Sequence, residues 1–128
     1  MSDFADGPPT LPPGAETVRT ESGLEMVELE PGGSPKGRLD SRIRVHYRCW
    51  LTHGHLVEDT HASGEPAELV LGQGNAVAGL DEGLQGLGPG GRRRLIVPSD
   101  LAYGGSGVGS RIPPYATLIF DIEVVAVR

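Results

Sequence analysis

The chain has 128 residues, enough for one domain with a single hydrophobic core. Its formal net charge of −6 argues against nonspecific binding of nucleic acid, which requires a basic surface. A single cysteine excludes a disulfide framework within the sequence and favours a reducing, cytoplasmic location. No stretch of the sequence is long and apolar enough to cross a membrane, and the 20 glycines and 11 prolines indicate many turns rather than a helical bundle.

The first residues, MSDFADGPPTLPPGA, are acidic and rich in proline, a composition typical of disordered chain. They contain neither the basic n-region nor the apolar h-region of a secretory signal. We therefore predict a flexible leader over residues 1–19 and one folded domain over residues 20–128.

Short strands are predicted in the first half of this domain, at residues 24–29, 42–52, 56–57 and 67–71. The stretch RIRVHYRCWLT at 42–52 alternates with a period of two, which indicates a strand with one buried face. Ile43, Val45 and Tyr47 share the apolar face, where the hydroxyl of Tyr47 requires a partner.

A single helix is predicted over residues 76–87. Val77, Leu80, Leu84 and Leu87 follow one another at spacings of three and four and form one apolar stripe. Asn75 is a plausible N-cap. Glycines within the segment weaken the helix by about 1 kcal/mol each, so it requires packing against a sheet.

Two further strands are predicted at residues 92–97 and 117–127, and Phe120 belongs to the alternating apolar face of the second. The total is five or six strands with one helix and no alternation of strands and helices. This order predicts an α+β fold in which a curved antiparallel sheet, a half-barrel, wraps around one short helix.

The segment between these last two strands has the features of one wall of a binding site. Tyr103 lies in a turn, a glycine-rich loop follows from Gly104 to Gly109, and Ile112 precedes the stiff pair Pro113-Pro114. The loop lacks the glycine spacing and the lysine of a phosphate-binding loop, so that function is rejected.

Five segments of the chain form a recognisable series: VHY, LVLGQG, AGLDEGL, GLGPGGRRRLIVPSDLAYG and IPPYATLIFDIEVV. In this order they resemble the FK506-binding-protein (FKBP) type of peptidyl-prolyl cis-trans isomerase. The resemblance covers residues 20–128 and implies an apolar pocket between sheet and helix, in which rotation about X–Pro bonds is accelerated to assist protein folding.

The resemblance also implies roles for individual residues. Tyr103 and Glu58 match catalytic positions, and the hydroxyl of Tyr103 would hold a substrate carbonyl. Val77 would offer its backbone N–H to the substrate at the start of the helix. The other implied substrate-binding residues are Tyr47, Val57, Leu69, Ala76, Leu80, Val108, Ile112 and Phe120.

Several positions depart from the family pattern. Val57-Glu58 stands where phenylalanine-aspartate is common, Ala67 replaces an aromatic residue, Leu80 replaces a tryptophan and Ser63 replaces an arginine. The lost aromatic surface predicts an active but less efficient isomerase. The alternative is a catalytically weak module that binds peptides or proteins in the same groove.

The implied mechanism requires no cofactor, metal or ATP. The expected partners are proline-containing peptides or unfolded chains, and macrolides such as FK506 and rapamycin. We expect binding to neither nucleic acid nor membranes, and we expect the protein to be a monomer.

Two other interpretations stay open. Tyr47, Leu69 and Phe120 would be core residues in any such sheet, and the histidines near residues 46–61 could form a weak transition-metal site.

Overall fold

The structure, a computed structural model, describes residues 7–128, and the prediction for residues 1–6 lies outside this range. The strands are β1 (Thr17–Arg19), β2 (Glu25–Glu30), β3 (Arg42–Leu51), β4 (Leu56–Asp59), β5 (Ala67–Val70), β6 (Arg92–Val97) and β7 (Leu118–Val127). They form one open sheet with the strand order β1-β2-β6-β7-β3-β4, and β5 also pairs with β3. All of these pairings are antiparallel.

The described helices are short: α1 (Thr60–Ser63), α2 (Ala78–Gly83) and a 3-10 turn at Ser99–Leu101. None of them is long and apolar enough to span a membrane. The predicted α+β class, an antiparallel sheet with a short helix, is confirmed. The described sheet has seven strands instead of five or six, and α1 was not predicted because four residues are too few to show a helical period.

The additional strand is β1, which lies inside the predicted leader. It pairs with β2, with Val18 opposite Met26. Farther towards the N-terminus, the guanidinium of Arg94 donates a hydrogen bond to the carbonyl of Pro9 at 2.7 Å. Because all three residues of β1 are exposed, the sequence offers no alternation from which to predict it.

The centre of the sheet is the pair β3 and β7, in which Ile43 lies opposite Val127 and Leu51 lies opposite Leu118. The predicted apolar face of β3 packs into the core. Trp50, on the other face, is also fully buried. The two faces of β3 are therefore both covered near its C-terminal end, which period-two alternation alone does not indicate.

Helix α2 is shorter than the predicted segment 76–87, although Leu80, Leu84 and Leu87 are buried as the stripe predicts. The helix ends at Gly83, and Gly86 adopts a left-handed conformation with φ of 83°, so helical backbone cannot extend to the predicted end at residue 87. The predicted N-cap was wrong: Val77 occupies that position. The side chain of Asn75 instead accepts a hydrogen bond from the backbone N–H of Val70 at 2.8 Å.

Two glycines allow α2 to lie directly against the sheet. A Cβ atom on Gly79 would overlap the side chain of Val97, and one on Gly83 would overlap Leu95. Glycine costs a helix about 1 kcal/mol relative to alanine. Here that cost permits a close contact between α2 and β6.

The C-terminal end of α2 is held by a buried cation. Nη1 of Arg93, on β6, donates hydrogen bonds to the carbonyls of Gly83 and Gln85 at 2.7 and 2.8 Å. The same guanidinium pairs with the carboxylate of Glu28 at 2.7 Å. These contacts satisfy carbonyls that a helix end leaves without an intrahelical partner.

We predict that Gly83→Ala destabilises the protein even though alanine favours helices. The added methyl has no space against Leu95, so the free energy of unfolding should fall by about 1–3 kcal/mol. Urea denaturation measures this change. Gly33→Ala is the control, because its Cβ would meet nothing closer than 3.7 Å. A Gly83→Ala protein as stable as the parent would contradict the proposed close contact.

Candidate active site

A cavity of about 190 Å³ lies between α2, the inner face of the sheet and the loop 103–112, which we call the flap. Its walls bring together residues from distant parts of the sequence. Ten of the eleven predicted site residues line it: Tyr47, Val57, Glu58, Leu69, Ala76, Val77, Leu80, Tyr103, Ile112 and Phe120.

The sheet supplies the aromatic wall. The rings of Tyr47 on β3 and Phe120 on β7 lie with their centroids 5.6 Å apart and their planes inclined by 58°. Cys49 and Leu118 complete this wall, although the prediction did not include them. Each is two residues from a predicted wall residue on the same strand, so the period of two could have identified both.

A β-bulge shapes the wall opposite. Glu58 pairs with Cys49 and Leu56 pairs with Trp50, so no residue of β3 lies opposite Val57 of β4. Successive side chains of a regular strand point to opposite faces, but a bulge re-aims one of them. Val57 and Glu58 consequently both line the cavity.

The two tyrosine hydroxyls of the cavity are held in neutral, donating forms. The hydroxyl of Tyr47 donates a hydrogen bond to Oε1 of Glu58 at 2.6 Å. Burial, with this hydrogen bond and the charge of Glu58, raises the pKa of Tyr47. Burial and Glu58 also raise the pKa of Tyr103. Both residues therefore remain hydroxyl donors throughout the neutral pH range.

Cys49 does not provide a nucleophile. Burial, and secondarily the charge of Glu58, raises the pKa of its thiol to about 12. Since the thiolate is the reactive form, the thiol is inert near neutral pH. Among the described residues that line the cavity, Glu58 is the only acidic or basic side chain other than tyrosine and cysteine. The arrangement suits binding and orientation of an uncharged group.

Helix α2 forms the floor of the cavity. The side chain of Leu80 faces it and is only 5% exposed, while Ala76 and Val77 lie where the chain enters the helix. The role of the Val77 backbone N–H in holding a substrate carbonyl stays a prediction. Asn75 also lines the cavity, and sequence reasoning missed this because it assigned Asn75 to capping.

The flap is a hydrogen-bonded turn. The backbone N–H groups of Val108 and Ile112 donate to each other's carbonyls at 2.8 and 3.1 Å. Tyr103 and Ile112, at the two ends of the flap, line the cavity. Val108 does not line the cavity: this bridge holds it at the tip, where its side chain is 38% exposed.

The family departures fall mainly on one side. Ala67 and Leu69 of β5 line the cavity beside Val57, and Leu80 lies at the floor. Ser63 does not reach the cavity, because its hydroxyl donates to the carbonyl of Thr60 at 2.9 Å. The aromatic residues are therefore concentrated on the wall formed by β3, β7 and the flap.

The histidines lie away from this cavity. The rings of His46 and His61 stack with centroids 4.4 Å apart, and Nδ1 of His46 lies 2.8 Å from the hydroxyl oxygen of Thr60. His53 and His55 form a second stacked pair. In residues 7–128, no three His, Cys, Asp or Glu side chains converge in a way that could hold a metal ion.

Comparison with known proteins agrees with this geometry. A family model for the FKBP-type peptidyl-prolyl cis-trans isomerase matches residues 34–125. An FK506-binding protein of Neisseria meningitidis serogroup B is 38% identical over 105 residues, which cover 82% of this chain and 96% of that protein.

Solved structures show the same similarity. The N-terminal domain of FKBP42 from Arabidopsis thaliana superposes with a TM-score of 0.85 at 33% identity, covering 96% of this chain and 98% of that one. A peptidyl-prolyl cis-trans isomerase from Pseudomonas syringae pv. tomato gives a TM-score of 0.77 at 34% identity, covering 91% of this chain and 82% of that one. The chain belongs to the FKBP-type peptidyl-prolyl cis-trans isomerase family.

Proposed function

We propose that the cavity accelerates cis–trans rotation about X–Pro bonds by stabilising a twisted amide. The supporting observation is the composition of the cavity: apolar and aromatic walls, a hydroxyl donor at the flap and no activated nucleophile. Resonance opposes rotation about an amide with a barrier of about 18–20 kcal/mol. The chemistry required is therefore differential binding of the twisted amide and not bond cleavage.

The walls would act on the solvation of the amide. A planar amide is more polar than a twisted one, so transfer from water into an apolar cavity disfavours the planar form more. Leu80, Phe120 and Ile112 supply the apolar surface, and each is no more than 6% exposed. They would enclose the proline ring and leave the amide at the cavity mouth.

Polar groups would fix the flanking peptide. Tyr103 is 41% exposed, and its hydroxyl would donate to a substrate carbonyl. The backbone N–H of Val77 would hold a second carbonyl. Glu58 would act by positioning, since its carboxylate engages the hydroxyl of Tyr47 and so orients that ring in the wall. Holding the peptide in one conformation reduces the entropy lost on reaching the transition state.

The proposed substrates are proline-containing segments of unfolded chains, whose folding such rotation limits. FK506 and rapamycin would occupy the same cavity. The proposed functional unit is a monomer. The proposed location is the cytoplasm, where the thiol of Cys49 would stay reduced.

A second candidate function is peptide binding with little turnover. It is favoured by Val57, Ala67 and Leu80, which line the cavity with small or aliphatic side chains. The family resemblance implies larger aromatic residues at these positions. Full burial of a phenylalanine-sized group contributes about 1.5–3 kcal/mol. Isomerisation kinetics and equilibrium binding of the same peptide distinguish the two functions.

We predict that Tyr103→Phe lowers kcat/KM for an Ala-Leu-Pro-Phe peptide by about 2- to 10-fold, the value of one hydrogen bond. Tyr115→Phe is the matched control. Tyr115 is 78% exposed and lies beside Gly105, outside the cavity lining. Peptide isomerisation followed by NMR exchange measures both variants. Equal activity of the Tyr103→Phe and parent proteins would refute the role of this hydroxyl.

The raised pKa of Tyr103 predicts the pH profile of the reaction. For an acid whose pKa lies above its ordinary 10.0, the protonated donor persists to higher pH. The Tyr103 contribution to kcat/KM should thus stay constant from about pH 7 to about pH 9. A decline in this range that Tyr103→Phe abolishes would show that the hydroxyl ionises too early for the proposed role.

Restoring an aromatic residue tests the importance of the altered wall. We predict that Ala67→Phe tightens peptide binding several-fold, because the new ring would cover the cavity rim with apolar surface. Fluorescence polarisation with a labelled proline peptide measures the affinity. Ala62→Phe, at an exposed position of α1, controls for added hydrophobicity. Equal effects of the two substitutions would mean that the rim does not contact the peptide.

A further inference from the structure

The side chain of Arg111 connects the flap to β4 beside the cavity, because its hydrogen-bond partner Val57 is a lining residue. Its Nη2 donates a hydrogen bond of 2.5 Å to the carbonyl of Val57. Val57 is the bulge residue, without a partner across the strand, and its side chain lines the cavity. The guanidinium is therefore held against the backbone of a residue that lines the cavity.

Arg111 retains unused binding capacity at this point. A guanidinium has five N–H donors, and the described structure uses one of them, towards Val57. Arg111 is exposed, and it belongs to none of the four ion pairs among residues 7–128. Its fork of donors matches the geometry of a carboxylate.

We propose that Arg111 forms a subsite for the carboxylate of an acidic residue that directly precedes the substrate proline. The inference rests on the proposed isomerase function and adds a sequence preference to it. With the proline ring in the cavity, the flanking peptide would pass close to Arg111, which is held against the lining residue Val57. An aspartate or glutamate side chain there would pair with the free N–H groups of Arg111 at an exposed site.

Glu58 favours the opposite preference, for a basic residue. Its charge reaches the same region, since it raises the pKa of Tyr103 whereas Arg111 lowers it. Glu58 already accepts the hydroxyl of Tyr47 at 2.6 Å, whereas Arg111 has no charged partner among the described residues. Arg111 is consequently the group available to a substrate charge.

The experiment compares three peptides that differ only in the residue before proline: Glu, Gln or Lys. Each is measured with the parent chain, Arg111→Gln and the control Arg92→Gln, which removes the same charge from an exposed residue at the outer face of the sheet. Both kcat/KM and Kd are determined. If the chain turns over no peptide, that result rejects only the proposed isomerase function. The affinities of the three peptides, measured by fluorescence polarisation, then still test the proposed role of Arg111.

The expected result is a fall of about 2- to 5-fold in the preference for the Glu peptide over the Gln peptide, in both kcat/KM and affinity, when Arg111→Gln replaces the parent chain. This is the effect of one exposed ion pair, and Arg92→Gln should not show it. The difference should diminish in about 1 M NaCl, because salt screens exposed charges. An unchanged preference would overturn the proposal. Equal losses for all three peptides would also overturn it, since they would show that Arg111 only holds the flap against Val57.

Discussion

The close contact between α2 and β6 is the constraint on which the rest of the site depends. The helix has only six residues, too few to be stable alone, and tertiary packing must stabilise it. Gly79 and Gly83 bring its backbone against Val97 and Leu95, and Arg93 caps its C-terminal end. This contact fixes Leu80 as the cavity floor.

The other walls of the cavity are set by irregularities in the sheet. The bulge at Val57 turns two consecutive residues towards the cavity and leaves the Val57 carbonyl accessible to Arg111. The flap brings Tyr103 to the same cavity. The resulting site has hydroxyl donors in apolar surroundings, and on this arrangement we base the proposal that it stabilises a twisted amide without covalent chemistry.

Sequence reasoning predicted the regular parts of the structure more fully than the irregular parts. Alternation placed Tyr47 and Phe120 on the cavity face of their strands. The family resemblance predicted that they share one site with Tyr103, although Tyr47 and Tyr103 are far apart in the sequence. The resemblance implied that Val108 binds substrate, but this residue lies in the backbone bridge of the flap and does not line the cavity. The Arg111 contact was also missed, because it depends on a register shift in another strand.

The central claim is that the cavity itself binds the proline and accelerates rotation of its amide. Two-dimensional NMR exchange on a proline peptide, with substoichiometric protein and with chemical-shift mapping of the labelled chain, tests both parts together. We expect faster cis–trans exchange, with shift changes concentrated at Tyr47, Leu80 and Tyr103 and suppressed by excess FK506. Unchanged exchange, or shift changes confined to the outer face around His46 and Arg92, would contradict the claim.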